Sequence, residues 1–154
     1  MVARTFNNQL RIGSEGERMF IRYLIDERGV PTGYIKDVRK DKTYQALDVD
    51  FIVKTKRGKQ IKVEVKTNNY THETGKMPWE MAKRSGAKGL HERSAADYMF
   101  YYLPATGDKY LIDLPRAREC VHKMHNLELR TIHDGNLYFV PIQTLIDEGI
   151  MLHL

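Results

Sequence analysis

The stretch LDVDFIVKTKRGKQIKVEVKT, residues 47 to 67, constrains the fold more than any other part of the chain. Side chains alternate between the two faces of a strand. Ile61, Val63 and Val65 therefore share one face, and Lys62, Glu64 and Lys66 share the other. Upstream, Asp48, Asp50 and Ile52 oppose Val49, Phe51 and Val53 in the same way. Arg57-Gly58 between the two runs supplies a turn. The pattern predicts an antiparallel hairpin with Lys56-Arg57-Gly58-Lys59 near its tip. The open question is whether its polar face is merely solvated, with cross-strand ion pairs of about 0.2–1 kcal/mol each, or carries chemistry.

The flanking sequence predicts more of the same architecture. A first helix is expected from near Ile12 to Ser14 until Gly29, with Pro31 as punctuation and Ile12, Gly16, Met19, Phe20, Tyr23 and Leu24 on its apolar face. Glu17 lies at one border of that arc and Glu15 toward the other. YIKDV at 34 to 38 reads as extended, and Asn68 to Arg93 as a long polar loop. Ala96 to Leu103 reads as an aromatic-rich buried strand pairing back with Lys109 to Leu114, and Pro115 suits the first turn of a helix to about His125. Leu127 to Ile132 and Leu137 to Val140 form a second hairpin around Asp134-Gly135-Asn136, and Pro141 opens a short helix to about Glu148. This order predicts an α/β or α+β domain, a central mixed β-sheet flanked by helices.

With 154 residues the chain is expected to form a single domain. Its 25 lysines and arginines exceed 20 aspartates and glutamates, which favours a polyanionic partner. The lone Cys120 excludes an internal disulfide and fits a reducing compartment. No apolar run approaches the roughly 18 residues of a membrane span, and residues 1 to 20 lack a signal-peptide core, so cytoplasmic residence without a membrane partner is expected.

If the hairpin brings the Asp50 end beside the Glu64 end, Asp50, Glu64 and Lys66 converge on one patch. Adjacent carboxylates repel each other, and a divalent cation relieves that repulsion. Carboxylates are hard oxygen ligands suited to Mg²⁺ or Mn²⁺. Lys66, two residues from Glu64 on the same face, could orient an attacking water and offset charge building on a phosphate. Such an apparatus suits phosphodiester hydrolysis.

The pieces GSEGERMF around Glu17, DVDFIV around Asp50, and VEVKT with Glu64 and Lys66 resemble the PD-(D/E)XK nuclease superfamily, which includes restriction enzymes, Holliday-junction resolvases and phage nucleases. The matching pieces cover roughly the first half of the chain. The resemblance implies a restriction-endonuclease-like core and a Mg²⁺-dependent DNA endonuclease. It implies that Asp50 and Glu64 ligate the metal with the Val65 carbonyl, that Lys66 serves the attacking water, and that Glu17 adds a ligand directly or through water. No proline precedes the aspartate, Asp48 competes with Asp50, and Glu15 competes with Glu17. Small size suits a junction- or flap-directed enzyme, and paired cuts suit a homodimer. The alternatives are a nucleic-acid- or protein-binding module without catalysis, and a nuclease that cleaves RNA, whose hydrolytic centre would be the same.

Within the predicted loop, Lys76, Lys83, Arg84, Lys88 and Arg93 are candidate phosphate contacts, with Trp79 either a stacking group or a core anchor. Glu80 could add a metal contact but reads better as surface charge on a helix. Cys120, His122 and His125 lie close on one predicted helix but lack clear further zinc ligands. Asp97 could support the site or cap the preceding loop.

Overall fold

A computed structural model describes residues 6–83, 94–132 and 135–154. Helix α1 (Phe6–Arg22) runs into a π-helical turn, Tyr23–Glu27, closed by the Arg28 N–H donating to Tyr23 O at 3.1 Å. The helix thus begins earlier than the apolar periodicity indicated and changes register before Gly29, whose φ of +64° ends it. Strand β1 (Ile35–Asp37) leads through the short helix α2 (Lys42–Ala46) to β2 (Phe51–Lys54) and β3 (Gln60–Thr67).

The expected hairpin is present, with Phe51 opposite Val63 and Lys54 opposite Gln60. Its turn is fixed by local bonds: Thr55 N–H donates to Lys59 O at 2.8 Å, Gly58 N–H to Thr55 O at 2.9 Å, and Lys59 N–H to Thr55 Oγ1 at 3.1 Å. Gly58 takes φ +83°, a conformation that favours glycine.

The segment read as a long loop is different. A helical turn, α3 (Thr71–Thr74), is followed by a full strand, β4 (Lys76–Lys83). Period-2 alternation in KMPWEMAK is masked by Pro78 and by charges on the outward positions, which is why composition pointed to a loop. The chain continues through β5 (Tyr98–Leu103), β6 (Asp108–Asp113), helix α4 (Leu114–Lys123), β7 (Glu128–Ile132), β8 (Gly135–Pro141), helix α5 (Ile142–Asp147) and β9 (Met151–His153). β9 is too short to leave a periodic signal.

The domain is mixed α/β. Its central sheet has six strands in the order β1-β2-β3-β5-β6-β9, with β3 and β5 parallel and the other neighbours antiparallel. A second, antiparallel sheet of three strands has the order β4-β8-β7. On one face of the central sheet Phe20 and Leu24 bury against Phe51, Val53, Val63, Phe100 and Tyr102. Gly16 lets α1 approach β3 closely, because a Cβ at that position would overlap Thr67 Oγ1. The opposite face buries Ile52, Met99, Tyr101 and Ile112 beneath α4 and α5 and also beneath Met77, Trp79 and Val140 of the second sheet. Helices thus flank both faces as expected, and the second sheet shares the cover of this one. Trp79 is 0% exposed, so it is a core anchor and not a stacking platform.

Candidate active site

The two strands of the hairpin place Asp50, Ile52 and Glu64 on the same side of the sheet, the side that carries the larger core. Asp50 precedes β2 by one residue and is tied to β3 twice. Its N–H donates to Val63 O at 2.9 Å, and its Oδ2 accepts from Val65 N–H at 2.8 Å. The convergence expected from strand alternation is thus realised at this end of the hairpin.

Glu64 is not on a wet face. It is 2% exposed, with Oε1 at 3.2 Å from Lys66 Nζ and Oε2 accepting from Ser94 Oγ at 3.1 Å. Burial pushes its carboxyl up to about 7, with Lys66 opposing the rise and Asp48 adding to it. A solvated ion-pair face would leave the carboxylate hydrated, and this one is dry. Lys66 differs from its partner, because 51% of its side chain remains exposed. Partial burial lowers its affinity for a proton, but the fields of Glu64, Asp48 and Asp50 outweigh this and hold it above its ordinary value. Burial likewise raises Asp50 against the Val65 N–H and the charges of Lys66 and Arg39.

Asp48, the rival of Asp50, also belongs to this cluster. It takes the left-handed conformation at φ +53°, which aspartate tolerates better than most residues, and its charge is felt at Asp50, Glu64 and Lys66. Asp50 has the direct bonds to β3.

The helix glutamates diverge. Glu17 Oε2 receives the Arg39 Nη1 group, whereas Glu15 Oε1 accepts from Tyr102 Oη at 3.4 Å on β5. Arg39 is itself held by Asp37, with Nε to Oδ1 at 2.9 Å and Nη2 to Oδ2 at 2.6 Å, and lies 5.3 Å from the Phe51 ring centroid. Since the Arg39 charge reaches Asp50, Glu17 is linked to the carboxylate cluster through this guanidinium. Sequence reasoning missed both Arg39 and Ser94. Neither leaves a local signal: Arg39 lies 22 residues from Glu17, and Ser94 lies 30 from Glu64.

The other candidates fare less well. Lys76 pairs with Glu128 Oε2 across the second sheet at 3.6 Å, the side chain of Lys83 lies outside the described residues, and so do Arg84, Lys88 and Arg93. Glu80 sits on strand β4, not on a helix. Asp97 ties the strand crossing together, with Oδ2 accepting from Lys62 N–H at 2.9 Å and its own N–H donating to Lys62 O at 2.8 Å. His125 falls beyond the end of α4, so it does not share that helix with Cys120 and His122.

As a donor set, Asp50 and Glu64 fit a hard divalent cation: two carboxylates, one of them dry, beside a third acidic charge. Among the described residues no three His, Cys, Asp or Glu side chains already close on a common point, and Glu64 Oε1 is engaged by Lys66 instead. Compared with protein-family models, with curated proteins and with solved structures, the chain matched none.

Proposed function

We propose that this protein is a metal-dependent DNA endonuclease of the PD-(D/E)XK type. The observation that carries the reading is the dry Glu64 carboxylate beside the half-exposed Lys66, with Asp50 bound to the same strand. Burying a carboxylate in this way costs several kcal/mol unless a cation compensates it, and Lys66 on one oxygen supplies part of that compensation. The order of α1, the antiparallel strands β1 to β3, and β5 joined parallel to β3 supports a restriction-endonuclease-like core.

In this reading Asp50, Glu64 and the Val65 carbonyl would hold Mg²⁺ or Mn²⁺, and such a cation would neutralise the carboxylates and polarise the scissile phosphate. Lys66, exposed enough to meet substrate, would orient the attacking water and stabilise charge on the phosphate. Glu17 would act through Arg39, which also presents positive charge toward the Asp50 side. Small size favours a substrate defined by structure, such as a junction or flap, and a homodimer would supply paired cuts.

One observation favours a second reading. The Lys66 ammonium already compensates Glu64, so the cluster can stand as a structural ion pair in a binding module without catalysis. Incubation of labelled duplex, single strand, flap, four-way junction and structured RNA with Mg²⁺, Mn²⁺ or EDTA separates the two. Metal-dependent cutting that disappears in Asp50→Ala and Lys66→Ala supports the nuclease, and the best substrate distinguishes DNA from RNA. Binding without cutting under any metal supports the module.

A further inference from the structure

The β2–β3 hairpin carries five cations between positions 51 and 63, Lys54, Lys56, Arg57, Lys59 and Lys62, and no acidic residue. None of the five side chains has an ion pair or hydrogen bond among the described residues. Lys54, Lys56, Arg57 and Lys59 are exposed. Among the described residues no acidic side chain pairs with these cations, while Lys76, Lys109 and Lys123 each have an acidic partner.

Register sharpens the placement. Lys54 stands opposite Gln60 and Ile52 opposite Lys62, so Lys54 and Lys62 share the face that carries Asp50 and Glu64. Lys36 of β1 pairs with Ile52 and extends the same row. At about 3.3 Å per strand residue, the tip at Lys59 lies roughly 23 Å along β3 from Lys66. The turn itself is closed by the three bonds among Thr55, Gly58 and Lys59 described above. Its cations are therefore presented on a preorganised support, not on a loop that must be ordered on binding.

We propose that the basic tip of the β2–β3 hairpin is a second nucleic-acid contact, gripping duplex phosphates about 23 Å along the hairpin from Lys66. The choice of nucleic acid as partner rests on the nuclease reading, and the rest of the argument does not. That spacing spans about seven base pairs at roughly 3.4 Å per step. A protein partner would be expected to find apolar anchors at the centre of its contact. The exposed large apolar side chains among the described residues are Tyr34, Leu47, Tyr70, Leu129 and Leu152, none of them in the turn. Lysine and arginine without apolar anchors match contacts to phosphates, which position a duplex without reading its sequence.

The test measures binding in EDTA, independent of any cleavage, by fluorescence anisotropy of a labelled duplex of about 16 base pairs, roughly twice that span, over a salt series. Wild type is compared with the triple variant Lys56→Gln, Arg57→Gln, Lys59→Gln, with Asp50→Ala, and with an acidic polyglutamate probe. Each phosphate contact lowers the slope of log affinity against log salt by about 0.9. The triple variant is expected to lose about 2 to 3 units of slope and about tenfold or more in affinity near 100 mM salt, with unchanged melting. Asp50→Ala is expected to keep the tip-dependent binding, so failure of cleavage alone leaves the proposal standing. Equal affinity and slope in wild type and triple variant overturn it whatever the cleavage result, as does a wild type that fails to bind duplex. Tip-dependent binding of polyglutamate in place of duplex also overturns it and assigns the surface to an acidic protein.

Discussion

At one end of the β2–β3 hairpin Glu64 is 2% exposed and bonded to Lys66 and Ser94, while at the other Lys54, Lys56, Arg57 and Lys59 stand exposed without an ion pair among the described residues. Both ends are written in the same alternation of apolar and charged residues. Their difference comes from what lies above them. The segment around Ser94 to Asp97 crosses the Asp50 end, with Ala95 N–H donating to Leu47 O at 2.8 Å and Asp97 bonded to Lys62. The tip extends beyond that cover. A charge placed under cover must be compensated and becomes reactive, and a charge left outside it remains a long-range attractor.

The largest expected effect breaks the covered end chemically. Asp50→Ala or Lys66→Ala should reduce metal-dependent cleavage by about 10²- to 10³-fold or more, read as single-turnover rates on the preferred labelled substrate. Glu17→Ala should cost less, since Glu17 is linked to the cluster through Arg39.

Next in size is the pH dependence of stability. Glu64 has a folded value of about 7 against an ordinary value of 4.5, because burial disfavours its charged form. Between those values the unfolded chain binds fewer protons than the folded one, so stability falls as pH rises through this window and levels above about 7. The loss amounts to about 3 kcal/mol at full ionisation. Urea denaturation of metal-free protein at low and high pH should show it, and Glu64→Gln should flatten the profile. A profile that is equally steep in the variant would assign the dependence to other groups.

Gly16→Ala tests the support beneath the same end. The added methyl meets Thr67 Oγ1, which is buried without a hydrogen-bond partner among the described residues. Overpacking of this kind costs about 1–3 kcal/mol, partly offset by about 1 kcal/mol of helix propensity. The midpoint in urea should fall, and Thr67→Ala in the same chain should restore it. Ser94→Ala should cost about 1 kcal/mol at neutral pH by removing a donor to Glu64, measured by thermal melting. Smallest is the tip: the triple glutamine variant should change stability by less than about 0.5 kcal/mol, sharpening the contrast between a structural and a solvated set of charges.

Much of the scaffold was legible because periodicity is a local property. The β2–β3 hairpin, the buried aromatic strand β5, Pro115 at the start of α4 and the pairing of β7 with β8 follow from alternation and turn residues, but Gly135 and Asn136, expected in the second turn, pair with Ile132 and Thr131 in the ladder. β4 was not legible, since Pro78 and outward charges made a strand resemble a loop, and β9 was too short to signal itself. Of the site, Asp50, Glu64 and Lys66 could be brought together from strand geometry alone. Arg39 and Ser94 could not, because their partners are distant in sequence and reached only through the fold.

By itself the sequence determined which residues share a face, where the chain turns, and that the hairpin mixes acids and cations at fixed spacing. These follow from the period of two along a strand and need no knowledge of neighbours. Tertiary structure alone decided which half of that polar face is dry, that Glu17 turns to Arg39 while Glu15 turns to Tyr102, and that Trp79 closes a core. The physical reason is that burial and electrostatic environment depend on segments arriving from elsewhere in the chain, and a carboxylate's chemistry is set by those arrivals more than by its place in the strand.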